Sequence, residues 1–158
     1  MFTPISPTPP TPVALDRMFL GEFQRGIDKK GRLTLPAAFR EVLGDEEAIV
    51  TKGLDRCLFL FPKSQFKELS MKARSLGFSP KEARKFRRHF YSSAAAVKPD
   101  SMGRINLPPK LREYAGLLNE AIVAGVDTYV EIWNVQRWEN EVGPDDDIDA
   151  ESWENLGF

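Results

Sequence analysis

The chain has 158 residues, 42% hydrophobic and 28% charged, with a formal net charge of −1, the composition of a globular protein with one compact domain and tails. Cys57 and His89 are the single cysteine and the single histidine, which excludes an internal disulfide and a Cys/His zinc site within one chain. No apolar run approaches the roughly eighteen residues of a membrane span, and the N-terminus lacks the basic and apolar regions of a signal peptide, so a cytoplasmic protein without a membrane partner is expected.

Residues 1–17 contain five prolines with Thr and Ser between them, a leader that cannot build a core and is expected to be disordered. The apolar pattern begins at Met18. Short strands are predicted over Glu22–Ile27 and Arg32–Leu35, flanking the turn Asp28-Lys29-Lys30-Gly31, where Gly supplies positive φ and Asp bonds its own downstream amides. Pro36 suits the first position of a short helix over Ala37–Leu43 that Gly44 ends. Ala48–Lys52 and Cys57–Phe61 read as a hairpin around Gly53-Leu54-Asp55-Arg56, with Cys57 a buried structural thiol.

A basic helical insert follows. Phe66, Leu69, Ala73 and Leu76 form an apolar stripe at helical spacing, and Ser79-Pro80-Lys81-Glu82 has the form of a capping box opening a second helix. That helix carries Lys81, Arg84, Lys85, Arg87 and Arg88, leaving Ala83, Phe86 and Phe90 for the core. Residues 63–90 hold nine bases and two acids.

The second half repeats the first. Asp28-Lys-Lys-Gly-Arg32-Leu-Thr-Leu-Pro36 returns seventy-two positions later as Asp100-Ser-Met-Gly-Arg104-Ile-Asn-Leu-Pro108, and the identities at that offset extend to Arg40/Arg112, Glu41/Glu113, Gly53/Gly125 and Asp55/Asp127. Strands are predicted over Arg104–Leu107, Ala121–Ala124 and Tyr129–Trp133, with a helix opening at Pro108-Pro109 and a turn at Gly125-Val126-Asp127-Thr128. Asn134 can cap a last helix anchored by a buried Trp138. Each repeat spans about forty residues, too few to bury a core alone, so two copies must share one core with pseudo-twofold symmetry. The chain thus divides into a leader, 1–17; a first repeat, 22–64; the insert, 65–92; a second repeat, 93–136; the end of a C-terminal helix, 137–143; and an acidic tail, 144–158, expected to be disordered.

Charge follows these boundaries. All 22 bases and 15 of the 23 acids precede residue 139, and eight acids with no base follow, so a body of +7 carries a tail of −8. A cationic body suggests a polyanionic partner. The tail is either simply solvated or folds back on the basic turns and the 81–88 helix in competition with that partner.

Catalytic chemistry has no candidate. His89 lies in the basic helix beside Arg87 and Arg88 and reads as a partly exposed surface histidine, and no phosphate-binding glycine loop or carboxylate pair stands out. The repeated phrase carries the interest. An Asp four residues before an Arg, across a glycine turn, is either a turn-fixing salt bridge of small energetic value or a device that orients a guanidinium outward toward a phosphate or the O6 and N7 of guanine; the two are compatible. Arg25, Lys29, Lys30 and Arg32 give four bases in eight residues against Asp28 alone, a setting either for DNA or RNA contact or for a solvated charged turn.

Met18-Phe-Leu-Gly-Glu-Phe23 and the two Asp-x-x-Gly-Arg phrases resemble the MraZ family over about residues 18 to 140, a family of bacterial transcription regulators linked to the division and cell wall gene cluster. The resemblance implies an α+β fold of tandem duplicated AbrB-like, swapped-hairpin β-rich modules that share one core in a pseudo-twofold barrel, with the helical insert between them. It implies that Asp28, Lys30, Gly31 and Arg32, and Asp100, Gly103 and Arg104, contact double-stranded DNA, with Ser101-Met102 giving the second turn the weaker phosphate attraction. It also implies a ring-shaped homo-oligomer on short direct repeats upstream of its own operon, each weak turn gaining from multivalency, in a nucleoid-associated protein. No cofactor or small-molecule ligand is expected. The alternative is an oligomeric assembly module that binds an acidic protein partner without DNA affinity.

Overall fold

The computed structural model describes residues 18–143 and 148–157; the leader, the Asp145-Asp146-Asp147 run and the end of the tail lie outside the described residues. The first repeat supplies β1 (Glu22–Gly26), β2 (Arg32–Thr34), α1 (Ala37–Leu43), β3 (Ala48–Lys52) and β4 (Leu58–Pro62). The insert forms α2 (Lys63–Arg74) and α3 (Lys81–Tyr91). The second repeat supplies β5 (Ala95–Val97), β6 (Arg104–Asn106), α4 (Pro109–Ala115), β7 (Glu120–Val126) and β8 (Tyr129–Trp133), followed by α5 (Val135–Glu141) and α6 (Ala150–Asn155).

The strands pair as one six-stranded sheet, ordered β1-β7-β8-β4-β3-β5, and one two-stranded ribbon, β2-β6. Every pairing is antiparallel. Exchanging each strand for its counterpart in the other repeat returns the same order read backwards, so a pseudo-twofold axis passes between β4 and β8. The first strand of each repeat lies against the third strand of the other, and the two second strands pair with each other, which is the swapped arrangement expected of halves that cannot bury a core separately. The fold is α+β, with the tandem modules sharing their interior.

That interior is continuous. Leu33 and Ile105, paired at the centre of the ribbon, are fully buried in one cluster with Val50, Leu58, Val123, Val130 and Ile132 of the sheet. Phe39 of α1, 1% exposed, meets Phe19 and Phe23 edge-on at ring separations of 5.4 and 5.2 Å, an arrangement that adds about 0.5–1.5 kcal/mol per pair to the burial itself. Gly44 ends α1 with φ of 64°, and Asn134 caps α5 by accepting a hydrogen bond from the Arg137 N–H at 2.9 Å. Cys57 is buried and its Sγ donates to the Leu54 carbonyl, and desolvation pushes the thiol well up, leaving it protonated at neutral pH.

Several elements differ from their sequence expectation. β5 has no counterpart in the predicted strands because Ala95 and Ala96 carry little strand propensity; pairing with β3 holds it in place. β7 runs on to Val126, so the second hairpin turns at Asp127-Thr128 rather than over Gly125–Thr128. The extension is held from outside, by Gly125 N–H donating to the Gly21 carbonyl and by reciprocal bonds between Phe19 and Asp127. The capping box does not form: Pro80 occupies the cap of α3 without a side-chain bond, and Arg84 draws the Phe78 and Ser79 carbonyls onto its guanidinium instead. Leu76 lies beyond the end of α2 and is exposed, and Phe86 and Trp138 are half-buried rather than core residues. Trp138 packs on Trp133 with ring centroids 5.8 Å apart. Ala150–Asn155, within the tail expected to be disordered, is helical, capped by Asp149 accepting from Ser152 N–H.

Candidate functional site

Two copies of one turn sit at opposite corners of the β2-β6 ribbon. In the first, Asp28 Oδ1 accepts from the backbone N–H groups of Lys30 and Arg32, each at 2.9 Å, and Oδ2 accepts from Arg32 Nε at 2.7 Å. In the second, Asp100 Oδ1 accepts from Met102 and Arg104 N–H, each at 2.9 Å, and Oδ2 from Arg104 Nε at 2.9 Å. One carboxylate thus fixes both the turn and the guanidinium that follows it. Gly31 and Gly103 take φ of 82° and 78°, a region an L side chain enters only under strain. The turns are also tied across the pseudo-axis, because Leu35 N–H donates to the Gly103 carbonyl and Leu107 N–H to the Gly31 carbonyl, both at 2.9 Å.

Strand alternation sets the direction of the arginines. Leu33 and Ile105 point inward from the ribbon, so Arg32, Thr34, Arg104 and Asn106 lie on its outer face. Arg32 pairs with Asn106 and Arg104 with Thr34, which makes the two arginines diagonal neighbours with Cα atoms roughly 7–8 Å apart. Each spends only Nε on its aspartate. Among the described residues neither Nη group of either arginine makes a hydrogen bond, so two oriented guanidinium edges face solvent side by side.

The surrounding charge is uneven. Lys29 and Lys30 are exposed in the first turn, and Ser101 and Met102 in the second, with Met102 63% exposed. Arg25 makes its contacts along its own strand, its guanidinium lying over the Phe23 ring and donating to the Gln24 carbonyl.

Two residues outside the predicted set complete the site. The guanidinium of Arg112 covers Gly31 so closely that a Cβ there would lie 2.7 Å from Cζ, and the Arg40 guanidinium leaves no room for a Cβ on Gly103. Each α-helix of one repeat therefore packs an arginine against the glycine turn of the other. Arg112 Nε donates to the Leu107 carbonyl at 2.9 Å, whereas Arg40 Nε is buried without a hydrogen-bond partner among the described residues. The signal for this pair was present in the sequence, since Arg40 and Arg112 are identical at the repeat offset; what it lacked was the strand exchange that carries each arginine to the opposite turn.

Hydrogen bonding from the Arg32 backbone N–H, reinforced by the Arg32 guanidinium and Lys30 N–H, holds Asp28 below the ordinary aspartate value, and Arg104 and Met102 do the same for Asp100. A depressed folded pKa means that the stabilisation is complete at neutral pH and is lost as pH falls through the lowered value. In a carbon-detected NMR titration both carboxylates are expected to titrate with midpoints below 3.8, with Lys30 and Met102 amide shifts constant above that range. Midpoints at or above 3.8 would show the carboxylates unpaired in solution.

Residues 18–89 and 90–147 each match the family model described as "MraZ protein, putative antitoxin-like". The chain is 49% identical over 139 residues to the transcriptional regulator MraZ of Symbiobacterium thermophilum, an alignment spanning 88% of this chain and 100% of the relative. It is 53% identical over 122 residues to the protein of the same name from Desulforamulus reducens, covering 77% of this chain and 85% of that one. The corresponding protein of Thermomicrobium roseum is 50% identical over 121 residues, 77% of this chain and 84% of its own.

Proposed function

The chain belongs to the MraZ family, and on that premise we propose that it is a sequence-specific DNA-binding transcriptional regulator whose reading element is the outer face of the β2-β6 ribbon. The observation that supports this most is the pair of aspartate-held guanidiniums with free Nη edges on one face. A two-stranded ribbon fits the major groove of B-form DNA, and an arginine with a fixed fork can take O6 and N7 of guanine or a phosphate. Asp28, Gly31, Asp100 and Gly103 hold the turns; Arg32 and Arg104 make the contacts; Lys29 and Lys30 attract phosphate, and Arg25 adds positive charge along the strand.

In this reading the protein works in the cytoplasm at the nucleoid, as a ring of identical subunits that places successive ribbons on short direct repeats upstream of the division and cell wall gene cluster, its own operon included. One ribbon offers a small contact area, so affinity must come from several engaged at once. Binding to the DNA upstream of its own gene is expected to rise at least 100-fold from one repeat to a correctly spaced pair, and to fall when half a helical turn is inserted between them. Equal affinity for one repeat, two repeats and scrambled DNA would reject the proposal.

The alternative, docking of an acidic protein on the basic insert, draws less support. Arg84 binds the Phe78 and Ser79 carbonyls and Arg87 those of Ala73 and Gly77, so two of the five bases on α3 close the helical hairpin rather than face outward.

A further inference from the structure

The duplication supplies an internal control. A side chain demanded by the fold should recur in both repeats, and one demanded by a ligand need not. An open cleft of about 780 Å³ lies between the β3-β4 hairpin, the α3-β5 link and α4, within the range of small-molecule sites. Lys52, Arg56 and Lys110 line it. Lys52 Nζ and Arg56 Cζ lie 5.1 and 5.0 Å from the centre of the Tyr114 ring. Glu113 lines the same cleft, yet none of the three bases forms an ion pair among the described residues.

The pseudo-twofold axis carries these positions to Ala124, Thr128, Ala38 and Val42. The cleft there is lined by Leu20, Ala38, Phe39, Glu41 and Val42 with Met18, and has about 250 Å³. Of these charged and aromatic positions only the glutamate is retained: Ala124, Thr128 and Ala38 replace the three cations and Val42 replaces the tyrosine, while Phe39 stands where the larger cleft has Leu111. The hairpin tells the same story. Asp55 and its counterpart Asp127 both take positive φ, but Arg56 does so as well, at 63°, and Thr128 does not. The fold therefore forms this corner without the cations, and the copy that has them also departs from the common backbone to bring one into the cleft.

We propose that this cleft is a binding site for a small phosphate-bearing molecule with an apolar body, its phosphate held by Lys52, Arg56 and Lys110 and its body lying against Ala94, Pro108 and Pro109. Three cations without an ion pair among the described residues repel each other around one cleft, and a phosphate relieves that repulsion while accepting several charge-assisted bonds. The wall of Ala94, Ala95, Pro108, Pro109 and Leu111 offers no charge to a second anionic group, which selects a compact anion with a nonpolar portion. The site is separate from the two arginine turns.

Phenyl phosphate and inorganic pyrophosphate are the probes, titrated calorimetrically into the full-length protein. The test variant takes the residues of the symmetry-related corner, Lys52→Ala with Arg56→Thr and Lys110→Ala; Lys110→Ala alone, at an exposed helical position, serves should the triple variant fold poorly. A control carries Arg32→Ala and Arg104→Ala. The expected result is saturable phenyl phosphate binding, one per chain, weakened at least tenfold in the triple variant, severalfold in Lys110→Ala, and unchanged in the control. Equal affinity in wild type and cleft variants, no saturable binding of either probe, or loss confined to the control would overturn the proposal. So would a cleft variant that loses DNA affinity with no small anion present, since the cations would then be contacts to the DNA backbone.

Discussion

Arg32→Ala is expected to abolish binding to the DNA upstream of the gene while leaving the fold and its thermal midpoint nearly unchanged. The stability side follows from exposure: the Arg32–Asp28 pair leaves the two side chains 31% and 35% exposed, and solvent-screened pairs of this kind contribute little to stability. The turn also survives the loss of the guanidinium, because Asp28 Oδ1 still accepts from the Lys30 and Arg32 backbone N–H groups. The binding side follows from the free Nη edges. A bidentate arginine contact to guanine is worth about 1–3 kcal/mol, and in the proposed ring the loss would be multiplied by the number of subunits on DNA. Arg104→Ala should weaken binding too, but its turn carries Ser101 and Met102 where the first carries Lys29 and Lys30, so removing both lysines should flatten the dependence of log affinity on log salt by up to about 2 for each subunit on the DNA. Measured by salt-titrated fluorescence anisotropy with circular dichroism as the folding control, a variant that unfolds would return Arg32 to a turn-fixing role, and a folded variant that binds as well as wild type would take the ribbon out of the interface.

The legibility of this architecture varied with how locally it was encoded. The turn Asp28-Lys29-Lys30-Gly31 could be read because glycine and aspartate specify its backbone within four residues, and the duplication made each half a check on the other. Strand β5 could not: Ala95 and Ala96 have no preference that would announce a strand, and β3 supplies the template across the chain. The position of Arg40 and Arg112 over the opposite turns was likewise out of reach, because their identity at the repeat offset says that both matter and nothing about where exchanged strands will take them. Residues whose role is set by the other repeat are invisible to patterns confined to one. The cleft at Lys52 and Arg56 belongs to the same class, with its cations drawn from two elements of the first repeat's hairpin and one helix of the second.

Phe39→Ala should show the opposite signature to Arg32→Ala: a large loss of stability with DNA affinity preserved in whatever remains folded. Phe39 is 1% exposed and holds Phe19 and Phe23 edge-on, and truncating a buried phenylalanine costs about 3–5 kcal/mol through lost transfer energy and the cavity left behind. Against a total stability of about 5–15 kcal/mol, that lowers the thermal midpoint by roughly 10 °C or more. Its counterpart Leu111, equally buried, should cost somewhat less on truncation, about 2–5 kcal/mol. The consequence for the site is indirect but specific, since the next residue on α1, Arg40, covers Gly103, and loosening the helix should free the second turn before the first. Hydrogen exchange at Gly103 and Met102 is therefore expected to accelerate more than at Gly31 and Lys30. Uniform acceleration across both turns would mean that the two halves open only together, and an unchanged thermal midpoint would place Phe39 outside the core in solution.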